Sequence, residues 1–174
     1  MGTGSEWDKT NLSEADKELL ENVERYGWSF MYVAPRADDP VKEPVWGYTI
    51  GVYRTWSHPE LVVFGPPHEH AHGILANVVD RIARGERLEV GREYRGILED
   101  YGCRFLTVDP KWYGAFLGFA QWFYESPRDF PVIQLVLPDK EGRYPWEAAY
   151  SIPKGTQPLL LSDEDASALG FSST

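Results

Sequence analysis

Three of the four histidines fall within one short string, His68-Glu69-His70-Ala71-His72, which reads as H-E-x-x-H. On a helix, His68 and His72 lie one turn apart on the same side. Two imidazoles so placed can hold one zinc ion while Glu69 polarises a bound water. Two features weigh against that chemistry. Pro66-Pro67 puts His68 in the first helical turn, and no H-x-x-G-x-x-H extension follows. A third ligand has to come from His58, Glu60, Glu86, Glu89 or Glu93. The commoner role of such a string is a solvent-facing helix start.

A second group of reactive types is Tyr53-Arg54-Thr55-Trp56-Ser57-His58-Pro59-Glu60, a polar and aromatic connection between two apolar stretches. Loops held by a rigid sheet concentrate ligand contacts. Here His58 is the candidate general base, Glu60 its orienting carboxylate, Arg54 an anion clamp and Tyr53 a donor. The plainer reading is a turn in which His58 caps a strand end and Glu60 is solvated. Gln134 interrupts the apolar run Val132-Ile133-Gln134-Leu135-Val136-Leu137. A buried amide must find partners or cost on the order of 1–3 kcal/mol, so Gln134 either satisfies a loop backbone or faces a cavity. Trp146 is either a lid over a pocket or a clamp on the C-terminal tail. Arg81, Arg84, Arg87, Arg92 and Arg95 are nearly balanced by Asp80, Glu86, Glu89 and Glu93, the pattern of a charge-laced solvated face. Cys103 sits in an apolar strand pattern and reads as core. The chain has no G-x-S-x-G, P-loop, G-x-G-x-x-G or C-x-x-C motif.

The elements that must position these groups can be read from periodicity. Ser13 opens a helix over 13–26, closed by Gly27. Strands follow at 28–33 and at 46–52, where Trp46, Tyr48, Ile50 and Val52 alternate with small residues such as Gly47 and Gly51 that leave room for something close. The segment from Arg36 to Pro44 reads as a loop. Leu61-Val62-Val63-Phe64 is continuously apolar, as in a short strand covered on both faces. A helix is expected at about 68–84, a strand at 103–108, one long buried helix over 112–124, and a strand at 132–137. Strands and helices do not alternate in strict βαβ order. The pattern predicts an α+β domain, with a mainly antiparallel sheet of five to six strands and about three helices packed against one face. The divisions are a disordered lead at 1–11, the domain at 12–158, and an acidic C-terminal tail at 159–174 with a capped turn at Ser162-Asp163-Glu164-Asp165.

Composition narrows the classes. The chain has 174 residues, 17 Lys+Arg against 27 Asp+Glu, and a formal charge of −10. A chain of this length buries roughly 70% of its unfolded surface, enough for one core. The acidic balance argues against nucleic acid and against anionic membrane surfaces, both of which are bound through Lys and Arg. No apolar run approaches the roughly 20 residues of a membrane helix. A single Cys and a start lacking signal-peptide features point to the cytoplasm.

The string Gly47-Tyr48-Thr49-Ile50-Gly51, followed by His58-Pro59-Glu60-Leu61 and later by Gln134-Leu135-Val136-Leu137-Pro138-Asp139 and Gly142-Arg143-Tyr144-Pro145-Trp146, resembles the bacterial domain of unknown function 4262 family. The resemblance covers most of residues 14–150 and implies a small single-domain bacterial protein, with no activity to transfer. The family-like positions it marks as a possible site are Tyr48, His58, Glu60, His72, Gln134 and Trp146. His68 and Glu69 depart from the family pattern, which weakens the zinc reading.

Three functions are thus expected from the sequence. The first is a pocket for a small-molecule or peptide ligand near His58, Glu60, His72 and Gln134, lined by Tyr48, Arg54, Trp56 and Trp146, with hydrolytic or proton-transfer activity if catalytic. The second is a non-catalytic, immunity- or antitoxin-like module whose acidic face meets a basic protein partner. The third is a zinc hydrolase using His68, His72 and Glu69.

Overall fold

The computed structural model describes residues 9–36, 38 and 44–171. Most of the lead expected at 1–11 and of the loop expected at 36–44 lies outside the described residues. Helix α1 (Glu14–Tyr26) begins at a capping box in which the Ser13 hydroxyl accepts the Asp16 N–H at 3.1 Å and Asp16 Oδ2 accepts the Ser13 N–H at 3.0 Å. Six strands follow: β1 (Ser29–Val33), β2 (Trp46–Ile50), β3 (Glu60–Phe64), β4 (Glu93–Tyr94), β5 (Cys103–Thr107) and β6 (Val132–Val136). They form one sheet in the order β1-β2-β3-β6-β5-β4. It consists of two three-stranded antiparallel halves joined by a parallel β3–β6 seam, with Glu60 opposite Val132 and Val63 opposite Leu135. The fold is the expected α+β domain, mostly antiparallel.

Helices cover both faces of the sheet, not one. Alternate residues of β3 explain why: Val62 and Phe64 join Tyr48, Ile50 and the α1 residues Leu19 and Val23 in one core, while Leu61 and Val63 join Phe105 and Leu135 in another. The second core is closed by α3 (His68–Ala83), which contributes Ala71, Leu75, Val78 and Ile82. The small residues of β2 make room for this helix. A Cβ added at Gly47 would stand 2.7 Å from a ring carbon of Phe30 and 3.3 Å from the Ala71 methyl group.

Two local expectations fail for non-local reasons. Val52, expected to end the second strand, and 53–56, expected in the connection, instead form a short helix α2 (Val52–Trp56), and β2 stops at Ile50. Its leading residue, Gly51, has no side chain with which to cap it. The single helix expected over 112–124 is broken into a 3₁₀ turn (Pro110–Trp112), α4 (Tyr113–Phe116) and α5 (Gly118–Tyr124), with Leu117 out of helical geometry at φ −129°, ψ 38°. The sheet supplies partners for the groups freed by the break. Trp46 Nε1 donates to the Phe116 carbonyl at 2.9 Å, and the Tyr48 hydroxyl accepts the Phe119 N–H at 3.3 Å. Only one side of this region is buried, and Phe119 is 43% exposed.

The segment set apart as a tail is stitched into the domain. Leu160 and Leu161 are buried, and the Leu160 carbonyl accepts the Asp109 N–H at 2.9 Å. It ends in α6 (Asp163–Ala168), capped by Ser162. Among the described residues no helix is long and apolar enough to cross a membrane.

Candidate functional site

Glu60 opens β3 and is almost wholly buried. Its Oε1 accepts hydrogen bonds from the Gly51 N–H at 2.7 Å, the Tyr53 N–H at 3.2 Å and the Tyr124 hydroxyl at 2.5 Å. Its Oε2 accepts from the Thr49 hydroxyl at 2.5 Å. Thr49 in turn accepts the Leu61 N–H at 2.9 Å. Glu60 therefore serves as the missing cap of α2, reaching back from seven and nine residues downstream, and ties that helix to β2 and α5. Burial pushes its carboxyl up to about 7, against the pull of these four hydrogen bonds. Burial and the neighbouring Glu60 charge together hold the Tyr124 hydroxyl well above its ordinary range, so it stays protonated as a donor.

His58, two residues before Glu60, has hydrogen-bond partners of its own and is not among those of Glu60. Its Nδ1 is 2.9 Å from the Pro59 carbonyl and its Nε2 is 3.2 Å from the Leu88 amide nitrogen. A carbonyl only accepts and an amide N–H only donates, so the ring must be the neutral Nδ1–H tautomer with both nitrogens occupied. Burial, with the Arg87 charge adding to it, lowers the His58 pKa, and the bond to Pro59 opposes the shift. A shallow hollow of ≈ 540 Å³ at this end of the sheet is lined by Tyr53, Pro59, Leu88 and Phe130, but by neither His58 nor Glu60.

The other candidates sit elsewhere. His68 and His72 clasp the Phe30 ring edge-on, with centroids 5.3 and 5.0 Å away, and His72 also stacks on Trp28 at 5.9 Å. Among the described residues no group of three His, Cys, Asp or Glu side chains is placed to hold a metal ion. Tyr48 is core, with its hydroxyl bonded as described above. The Arg54 guanidinium lies 5.7 Å over the Phe123 ring. Trp56 packs over Gly27, where a Cβ would meet its ring at 2.7 Å. Trp146 stacks on Tyr144 at 5.1 Å, with the rings 7° from parallel. The buried Cys103 thiol is pushed up to about 12, chiefly by burial, and is inert as a nucleophile at neutral pH. His58, His72 and Gln134 do not converge on one cavity.

Gln134 leads to a groove beside the C-terminal segment. Its Nε2 donates to the Pro158 carbonyl at 2.8 Å and its Oε1 accepts the Leu160 N–H at 3.0 Å, pinning the chain after Gly155 along β6. Gln157 repeats the device. It exchanges two bonds with the Leu137 main chain, at 2.7 and 2.9 Å, and its Nε2 also donates to the Tyr150 hydroxyl at 2.8 Å. The facing wall is shaped by buried Asp139, whose two oxygens accept from Glu141, Arg143 and Ser151. Burial alone would raise the Asp139 pKa, but these donors hold it well below the usual carboxylate range. Between these supports lies a groove of ≈ 790 Å³, lined among others by Pro145, Tyr150, Ile152, Lys154, Leu159 and Phe171. Tyr150, Lys154 and Gln157 were not anticipated. Prolines at 145, 153 and 158 interrupt any periodicity here, so only the isolated apolar residues between polar ones could have drawn attention.

The fold and its polar supports define a single-domain α+β protein whose buried titratable groups are bonded mainly to its own main chain. The domain of unknown function 4262 (DUF4262) family model matches residues 22–151, and the chain belongs to that family. No curated protein and no solved structure matches it.

Proposed function

We propose that this protein is a binding domain that takes a small-molecule or short peptide ligand in the groove beside the C-terminal segment. The observation that carries the reading is the groove itself. At ≈ 790 Å³ it falls in the size range of ligand pockets, and its lining is largely apolar with a few polar groups. The pocket is displaced from the one expected around His58 and His72, and Gln134 contributes by holding the groove's floor without lining it. A hydrolytic role for His58 and Glu60 finds less support, because every nitrogen and oxygen of the two side chains is already engaged. The zinc reading rests on two imidazoles packed on Phe30 with no third donor among the described residues. The protein-partner reading rests on the charge of −10 together with the lack of a recognised catalytic motif in the sequence.

The test is a thermal-shift screen of small molecules and short peptides against the full chain and against Ala166→Trp, which fills the groove from α6. The expected result is a set of ligands that raise the Tm of the wild type only and are recovered unchanged by mass spectrometry. Ligands that act equally on both proteins would refute the location, and recovery of a converted product would refute simple binding.

A further inference from the structure

We infer that the groove selects an apolar carboxylate, a small molecule with one anionic head and a hydrocarbon body; this rests on the binding reading proposed above. The argument is a surplus of unused donors on an otherwise apolar surface. Among the described residues that line the groove, Lys154 is the only cation, and its ammonium group makes no ion pair or hydrogen bond with another described residue. The Tyr150 hydroxyl accepts from Gln157 and, among the described residues, donates its own proton to no group. Burial raises the Tyr150 pKa and keeps that proton in place at neutral pH.

Leu159 adds a third donor. Pro158 and Leu160 use their main-chain groups toward Gln134 and Asp109, while the N–H of Leu159, between them, has no described partner. Among the described residues that line the groove, Glu147 is the one anion, and one of its oxygens is turned back to accept the Tyr144 N–H at 2.7 Å; behind the lining the Asp139 carboxylate also acts on Tyr150, with its two oxygens taken up by Glu141, Arg143 and Ser151. In a chain of net charge −10, a lysine with no ion-pair partner among the described residues, beside apolar Ile152, Leu161 and Phe171, is the complement of an amphiphilic anion. The carboxylate would accept from Lys154, Tyr150 and Leu159, and the hydrocarbon would lie on the aliphatic and aromatic lining.

The probes are decanoate, decan-1-ol and decylammonium, all below their micelle concentrations, titrated into the full chain by calorimetry at low and high salt. The expected order of affinity is decanoate, then decanol, then decylammonium. Lys154→Gln should weaken decanoate by about three- to tenfold and leave decanol unchanged. Glu147→Gln should tighten decanoate, and high salt should narrow its advantage over decanol. Shortening decanoate to octanoate should lose up to about fourfold per methylene removed. Binding of decanol with no preference for the carboxylate, or decanoate binding that ignores Lys154→Gln, overturns the head-group assignment and leaves the groove standing. If none of the three amphiphiles binds, the groove reading falls with it.

Discussion

Replacing Glu60 with glutamine should make the protein's stability less sensitive to alkali. The protonated carboxyl and the amide have nearly the same shape. In the Glu60→Gln variant the amide carbonyl can still accept from Gly51, Tyr53 and Tyr124, and the NH₂ can donate to the Thr49 hydroxyl, which rotates its own hydrogen away. Burial raises the folded pKa of Glu60 from 4.5 to about 7. That difference is worth about 3 kcal/mol, at about 1.4 kcal/mol for each pH unit. The sign follows from proton counts. Between pH 4.5 and 7 the unfolded chain has lost this proton while the folded one retains it, so wild-type stability falls as pH rises and levels off above 7. The amide has no such titration. The stability of Glu60→Gln relative to wild type should therefore improve by about 3 kcal/mol between pH 4 and pH 8. Urea denaturation followed by tryptophan fluorescence measures it, and every other titrating group cancels in the difference. A difference that is flat with pH, or one in which the variant loses ground as pH rises, would show that the four donors hold the carboxylate ionised and that burial does not dominate.

His58→Phe should cost about 1–3 kcal/mol at pH 7.5, because it leaves the Leu88 N–H without its partner. The stability carried by neutral His58 is complete above pH 6.5 and is lost as pH falls through its lowered folded pKa, so the gap between wild type and variant should narrow toward pH 5 in the same denaturation assay. Gln134→Leu should cost about 2–3 kcal/mol through the orphaned Leu160 N–H and Pro158 carbonyl. It should also speed amide exchange at Leu160 more than at β2; unchanged exchange would remove Gln134 as the anchor of the groove. Gly47→Ala should destabilise by about 1–3 kcal/mol, since its methyl group would press on Phe30 and Ala71 where α3 crosses β2. A neutral result in thermal unfolding would mean that the Phe30 ring swings clear of its histidine clasp.

What could be read from the sequence was whatever the chain decides locally. The Ser13 capping box, the α3 periodicity and the unbroken apolar run of β3 each carry their signal within a few residues, and each element formed within a residue or two of its expected bounds. The failures share a cause. The cap of α2 arrives from Glu60, and the groups exposed by the break at Leu117 are met by Trp46 and Tyr48 from β2. Each is a contact between distant parts of the chain that no window of sequence contains. Even β3 carried more than was drawn from it, because a strand apolar on both faces already requires cover on both sides of the sheet.

The same separation governs the candidate site. Residue type picks out His58 and Glu60 as reactive and Gln134 as a buried amide that needs partners, and the structure gives each of them main-chain groups that lack a partner in helix or sheet. Buried polar side chains in a domain of this size are needed for that work, since an unsatisfied buried N–H or carbonyl costs as much as a lost hydrogen bond. Chemical capability therefore has to be judged by which lone pairs and protons remain unused after the fold has taken its share. By that measure the imidazole of His58 is spent, whereas Lys154 and the proton of Tyr150 have no partner among the described residues, although neither stands in any recognisable motif. A groove whose supports are Gln134, Asp139 and Gln157 and whose proposed ligand donors are Lys154 and Tyr150 divides the two tasks between different residues. Substitutions in the first set should act on stability, and those in the second on affinity.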